Sequence, residues 1–159
     1  KELQSEFEMA SAITRLVISA THCCLAAECS DGSVHVARHV AHVARAGAGA
    51  FAQAQTGMGH RALAWAGNIL LLGGSSAGAF QLFDWDGVAV PGGEFRGRNE
   101  GVIATAAAGI VVGAERRFAV GFSDGTCSVF RASPRKTIEQ VQFGSLADDG
   151  GAALKPWLG

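Results

Sequence analysis

Gly74-Ser75-Ser76-Ala77-Gly78 has the Gly-x-Ser-x-Gly form of a strand-to-helix turn that exposes a nucleophilic serine, and it follows an apolar run. Such a turn needs a helix after the serine and a histidine later in the chain to act as base. Ala79-Phe80-Gln81-Leu82-Phe83 alternates as a strand, and His22, His35, His39, His42 and His60 all precede Ser76. A serine hydrolase at Ser76 is therefore the weakest reading. His35, His39 and His42 are spaced so that on one helix they would share a face and could bind zinc. His35 lies instead on an alternating segment, so solvent-facing histidines are the plainer reading and a metal-binding module the alternative. Gly47-Ala48-Gly49-Ala50-Phe51-Ala52 imitates a dinucleotide loop, but no parallel strand precedes it and the next acidic residue is Asp84. No Gly-Lys-Ser/Thr phosphate loop is present. These motifs call for no cofactor, metal or catalytic residue.

Cys23, Cys24, Cys29 and Cys127 form no Cys-x-x-Cys pair. They read as small buried residues of a reducing, cytoplasmic compartment, with a disulfide or metal site the alternative. Cys23 and Cys24, being adjacent, are expected on opposite faces of a strand. Of the 159 residues, 48% are hydrophobic and 17% charged, which indicates a folded domain. The formal net charge of -1 gives no reason to expect a nucleic-acid partner. No apolar run approaches the roughly 18 residues of a membrane span. The charged start, Lys1 to Glu8, is not expected to act as a signal peptide.

What must position any functional residue is a repeat. Ser30-Asp31-Gly32 returns as Ser76-Ala77-Gly78 after 46 residues, and as Ser123-Asp124-Gly125 after 47 more. Without gaps, Val17, Leu63 and Ile110 coincide, as do Leu25, Leu71 and Phe118. After the turn come Val34, Phe80 and Cys127, then Val36, Leu82 and Val129, then Ala37, Phe83 and Phe130. Short apolar runs before the turn fit strands buried on both faces. The Gly in the turn accepts positive φ, and the next strand alternates. With 22 Gly, many inside these segments, a helical reading fails, because each would cost about 0.8–1 kcal/mol.

A period of this length needs four strands. The first strands are expected at Ile13–Ser19, Arg61–Ala66 and Ala107–Gly113. The closing strands are expected at Val40–Val43 or Phe51–Gln55, at Val88–Arg96, and at Thr137–Phe143, with Glu2–Met9 a possible extra copy. The repeats span about 12–57, 58–104 and 105–144, so residues 1–144 hold the repeats, with 1–11 as a possible extra strand. Residues 145–159 form a linker or tail bearing an aromatic.

These residues resemble a WD-repeat β-propeller. That family has four-stranded blades, a Gly-His signature and a closing Trp-Asp. Gly59-His60 starts the second repeat, and Phe83-Asp84 stands at the Trp-Asp position. The match is degenerate. Gly-His occurs once, the other closing pairs are Ala37-Arg38 and Phe130-Arg131, and Ala77 replaces the turn Asp. The resemblance implies an all-β chain of about three blades of four antiparallel strands, an incomplete propeller. The remaining blades would come from the rest of a parent chain or from another subunit. It implies a non-catalytic scaffold for protein–protein interaction. In such a blade the second-to-third-strand turn and the connection into the first strand share one rim. That gathers Asp31, His60, Arg61, Arg98, Asn99 and Asp124 as the expected protein-binding set. The opposite rim, with Trp85, Glu115, Arg116 and Arg117, is the other candidate.

Overall fold

The computed structural model describes residues 8–41, 43, 51–55, 62–73, 79–95, 101–132 and 138–145. They form twelve strands in three four-stranded antiparallel sheets, each a simple meander in chain order. The first sheet holds β1 (Ile13–Ile18), β2 (Leu25–Cys29), β3 (Val34–Ala37) and β4 (Ala52–Gln55). The second holds β5 (Ala62–Ala66), β6 (Ile69–Gly73), β7 (Phe80–Asp84) and β8 (Ala89–Phe95). The third holds β9 (Ala104–Val112), β10 (Glu115–Phe122), β11 (Thr126–Ala132) and β12 (Ile138–Ser145).

The second sheet lies between the other two. Ile69-Leu70-Leu71-Leu72 is buried throughout because its alternate side chains enter two different cores. Leu63, Trp65, Leu70, Leu72 and Phe83 pack with Cys24, Ala26, Val34 and Val36 of the first sheet. Ala62, Ala64, Ala66, Leu71, Phe80 and Leu82 pack with Phe118, Val120, Phe122 and Phe130 of the third. Phe80, Phe95 and Phe130 form an aromatic triangle at this second interface, with centroid distances of 4.8–5.0 Å. Its edge-on contacts at Phe130 match the preferred quadrupole geometry.

The hairpin turns follow the residues that make them. Gly32 and Gly125 both sit at φ 81°, where any side chain would be strained. Their amides donate to Cys29 O and Phe122 O at 3.0 and 3.1 Å, closing the turns. The Asp before each Gly accepts from the backbone two residues on, which locks the turn from outside.

The structure departs from the sequence expectations at three places. The closing strand of the first repeat is Ala52–Gln55, while Val40, Ala41 and Val43 are helical. Cys23 and Cys24 are not in a strand. They precede β2, with Cys23 exposed at φ 54° and Cys24 buried at the first interface. The ungapped alignment also slips by one residue in the second repeat. Leu63 and Leu71 face the opposite way from Val17 and Ile110, and from Leu25 and Phe118, respectively. The cause is the β6–β7 connection, which joins the paired residues Gly73 and Phe80, one residue further apart than Gly121 and Cys127. A one-residue shift flips every side chain to the other face. The third-strand columns, beyond that connection, keep a common face.

Gly109 sets how closely the second and third sheets approach. A Cβ there would lie 2.1 Å from the Trp65 carbonyl oxygen. Gly109→Ala is expected to lower unfolding stability by about 1–3 kcal/mol, the usual cost of overpacking. Gly121→Ala is the matched control, since its Cβ would meet only Ala106 Cβ at 3.9 Å. Urea unfolding of both variants checks this; equal midpoints would show that the sheets part freely.

Candidate functional site

The β2–β3 and β10–β11 turns mark one edge of the sheets, here the upper rim. The β1–β2, β5–β6 and β9–β10 turns mark the lower rim.

On the upper rim each turn is tied to the chain entering the first strand of its own sheet. Ser30 N donates to Ala12 O at 2.8 Å, and the Ser11 and Ser30 hydroxyls lie 3.0 Å apart. In the third sheet Ser123 N donates to Ile103 O at 2.9 Å, and Ile103 N donates to Ser123 Oγ at 3.0 Å. Asp31 Oδ1 accepts from Ser33 Oγ at 2.7 Å and from Ser33 N at 2.9 Å. These bonds, the hydroxyl foremost, hold the Asp31 carboxyl below the usual carboxylate range. Asp124 Oδ1 accepts likewise from Thr126 Oγ1 at 2.6 Å and from Thr126 N at 3.0 Å. Asp31 and Asp124 thus hold corresponding turns of the first and third sheets. His60, Arg61, Arg98 and Asn99 lie outside the described residues, so the expected six-residue set is placed only at its two aspartates.

The chemistry-bearing motifs are occupied otherwise. His35 Nε2 lies 3.0 Å from Ser33 Oγ, whose proton already goes to Asp31, so the ring nitrogen donates. His39 Nδ1 accepts from Ala41 N at 3.1 Å. His42 lies outside the described residues. Among the described residues no three His, Cys, Asp or Glu side chains are grouped to hold a metal ion. Ser76 also lies outside them, and the element after it is the strand β7, where a nucleophile turn needs a helix. The four cysteines are free thiols. Burial, and secondarily the neighbouring Cys23, push the Cys24 thiol up.

The lower rim carries the polar bonds between sheets. Ser19 Oγ donates to Gly67 O at 2.6 Å, and Trp65 Nε1 donates to Val17 O at 3.2 Å. Arg116 reaches from the third sheet to Asn68 Oδ1 at 2.7 and 3.0 Å. Arg38, just past β3, makes a two-pronged ion pair with Asp86 in the β7–β8 turn, with Nη2 2.6 Å from Oδ2. Its guanidinium also lies over Trp85, 5.6 Å from the ring centroid, and His22 meets the same ring edge-on at 6.4 Å. Trp85 is thereby half-buried between two sheets. The sequence singled out Trp85 without its partners, because Arg38 lies in another repeat. Asp84, at the position of the family Asp, accepts from Asp86 N at 2.9 Å and Val88 N at 3.0 Å. It holds the turn that presents Trp85 and Asp86.

Compared with solved structures, the chain superposes on WD40 domains. The β-propeller domain of Cps50 (Swd1) from Myceliophteria thermophila matches 86% of it, with TM-score 0.55 and 16% identity. The WD40 domain of SCAP from fission yeast matches 87%, with TM-score 0.61 and 13% identity. The fission yeast SREBP–SCAP binding-domain complex matches 92%, with TM-score 0.61 and 11% identity. The fold is that of WD40 propeller blades. The chain covers 41%, 35% and 40% of those three chains, less than half of each. No protein-family model and no curated protein matches the sequence.

In WD40 terms the three sheets are blades, and the polar bonds of the lower rim are blade-to-blade ties. Hydrogen bonds from Arg38 hold the Asp86 carboxyl below its ordinary value. A carboxyl depressed by folding stabilises fully above its unfolded value, near pH 4, and loses that contribution as pH falls through its folded value. Asp86→Asn is therefore expected to be less stable than the parent at pH 7, with the gap narrowing toward pH 3. Urea midpoints at the two pH values test this, and an equal gap at both would show that the ionic form of Asp86 contributes nothing.

Proposed function

We propose that this chain is a non-catalytic scaffold for protein–protein interaction and that partners are recognised on the upper rim. The observation that carries this reading is the turn-to-first-strand lock, formed twice with the same bonding logic at Ser30 and Ser123. It holds exposed polar turns on a rigid frame, and loops on rigid scaffolds are where recognition concentrates. A fission yeast complex of SREBP and SCAP binding domains has this fold, which supports a protein partner here. Among the described residues no helix is long and apolar enough to cross a membrane. The four free cysteines favour a reducing, cytoplasmic setting.

In this reading Asp31, Asp124, His60, Arg61, Arg98 and Asn99 contribute to one binding surface. Asp31 and Asp124 shape the turns, and Arg61 and Arg98 supply charge that steers association. Residues 1–144 act as one blade-bearing unit, with 145–159 a tail. Blades beyond these three come from a parent chain or a second subunit.

The test is a pull-down with Arg61→Glu and Arg98→Glu combined, read beside thermal unfolding. Partner recovery is expected to fall at least about tenfold, equivalent to about 1.4 kcal/mol of binding, with unchanged unfolding. Full recovery by the folded variant would move the binding surface to the lower rim around Trp85, Glu115, Arg116 and Arg117.

A further inference from the structure

Each blade turns one cross-strand pair of its second and third strands away from the blade that follows it. In the second blade that pair is Leu70 and Phe83, and in the third it is Phe118 and Phe130. Both pairs are buried against the preceding blade. The corresponding pair of the first blade is Leu25 and Ala37, and among the described residues no blade precedes it. It is buried nonetheless: Val43 and Phe51 pack over it in a small core of their own.

Volume explains the exchange. Ala37 stands where the other blades carry Phe83 and Phe130, so the first blade has no aromatic ring on its third strand at this place. Val36 pairs with Ala52, which sets Phe51 beside Ala37 at the head of β4. The ring missing from the third strand is supplied from the approach to the fourth. The β3–β4 connection that brings Val43 and Phe51 back runs over residues 38–51, against 85–88 and 133–137 in the other blades. Its first turn is pinned where Val40 N donates to Cys23 O at 2.9 Å. In a close-packed interior a phenylalanine at position 37 would compete for the space that Val43 and Phe51 fill.

We propose that Val43 and Phe51 form a built-in cap, which occupies the seat of a preceding blade and closes the first blade's outer face to the third blade of a second copy of the chain. The two faces are the halves of an interface that the chain already forms twice. Leu16 and Ile18 of β1 stand beside the cap at 54% and 58% exposure, and Ile110 and Val112 of β9 at 61% and 46%. With the cap lifted, Leu25 would join Leu16 and Ile18 in one apolar surface. Docking of that surface on the third blade of another copy is heterologous, and repeated without closure it builds an open-ended row. The cap removes that hazard with two side chains of the chain itself. Further blades, whatever their source, then join at the third blade, and a ring closes on the first blade only by displacing Val43 and Phe51. None of this depends on which rim recognises a partner.

Sedimentation velocity on the full 159-residue chain tests the cap, from low to high micromolar concentration. The parent is expected to keep one mass throughout. Val43→Ser combined with Phe51→Ser opens the face, and the average mass should rise at least about twofold, since one copy docked on another is the smallest product. Adding Ile110→Asp should return the parent mass. Alkylation of Cys24, buried between the first and second blades, reports whether each variant is folded. A folded double variant that stays monomeric would overturn the proposal. So would association that Ile110→Asp leaves intact, or a parent that associates as strongly as the variant. If the double variant exposes Cys24, Ala37→Phe takes its place, with a ring that the other two blades already accommodate there. It should displace the cap and associate in the same Ile110-dependent way, and a monomeric Ala37→Phe chain would sink the idea.

Discussion

The second blade is apolar on both faces, and a sheet of that kind is stable only with a partner sheet on each side. Leu70 and Leu71 are both completely buried, yet they point into different cores. Burying one such side chain contributes about 1.5–3 kcal/mol, so exposing either face, with its several large side chains, would forfeit about as much as the whole net stability of a typical domain. The first and third blades stand where they do because the second requires them. Close approach then becomes a demand on the sequence, met by alanines along β5 and by Gly109, where even a methyl group would strike the Trp65 carbonyl.

Polar groups settle orientation once that packing is fixed. Trp65 and Ser19 spend their hydrogen bonds on backbone carbonyls of the adjacent blade. Arg116 spends its own on Asn68, and Arg38 on Asp86. Hydrogen bonds with exposed ends add little net free energy, but they are directional where apolar contact is not. The hydrophobic effect accounts for adhesion between blades, and these bonds for which blade edge lies level with which.

Much of this was legible in the residues. The recurring Ser-x-Gly signalled the blade count, and at Asp31-Gly32 and Asp124-Gly125 a Gly after a turn-capping Asp marks the hairpin. Third-strand columns such as Val34, Phe80 and Cys127 kept their common face because they follow that turn directly. The first and second strands of the middle repeat did not, since Leu63 and Leu71 precede a connection one residue longer than its counterpart. An ungapped comparison has no means of seeing that a strand of leucines, buried on both sides, has turned over. The first closing strand was ambiguous for a related reason: Val40–Val43 and Phe51–Gln55 have similar apolar content, and only pairing with β3 separates them. The lower-rim cluster of Arg38, Trp85, Asp86 and His22 was out of reach of spacing arguments, because it joins residues from two repeats. Asp31 and Asp124 were read as rim residues, and each also serves as the lock of its own turn.

Polar ties between blades run along the lower edge: Ser19 to Gly67, Trp65 to Val17, Arg38 to Asp86 and Arg116 to Asn68. They bind the blades like the stitching along the spine of a book. A molecule gripping two neighbouring upper turns at once would clamp the pages at the opposite edge. Any motion it removed there would enter its affinity as an entropic term, even where no blade changes shape.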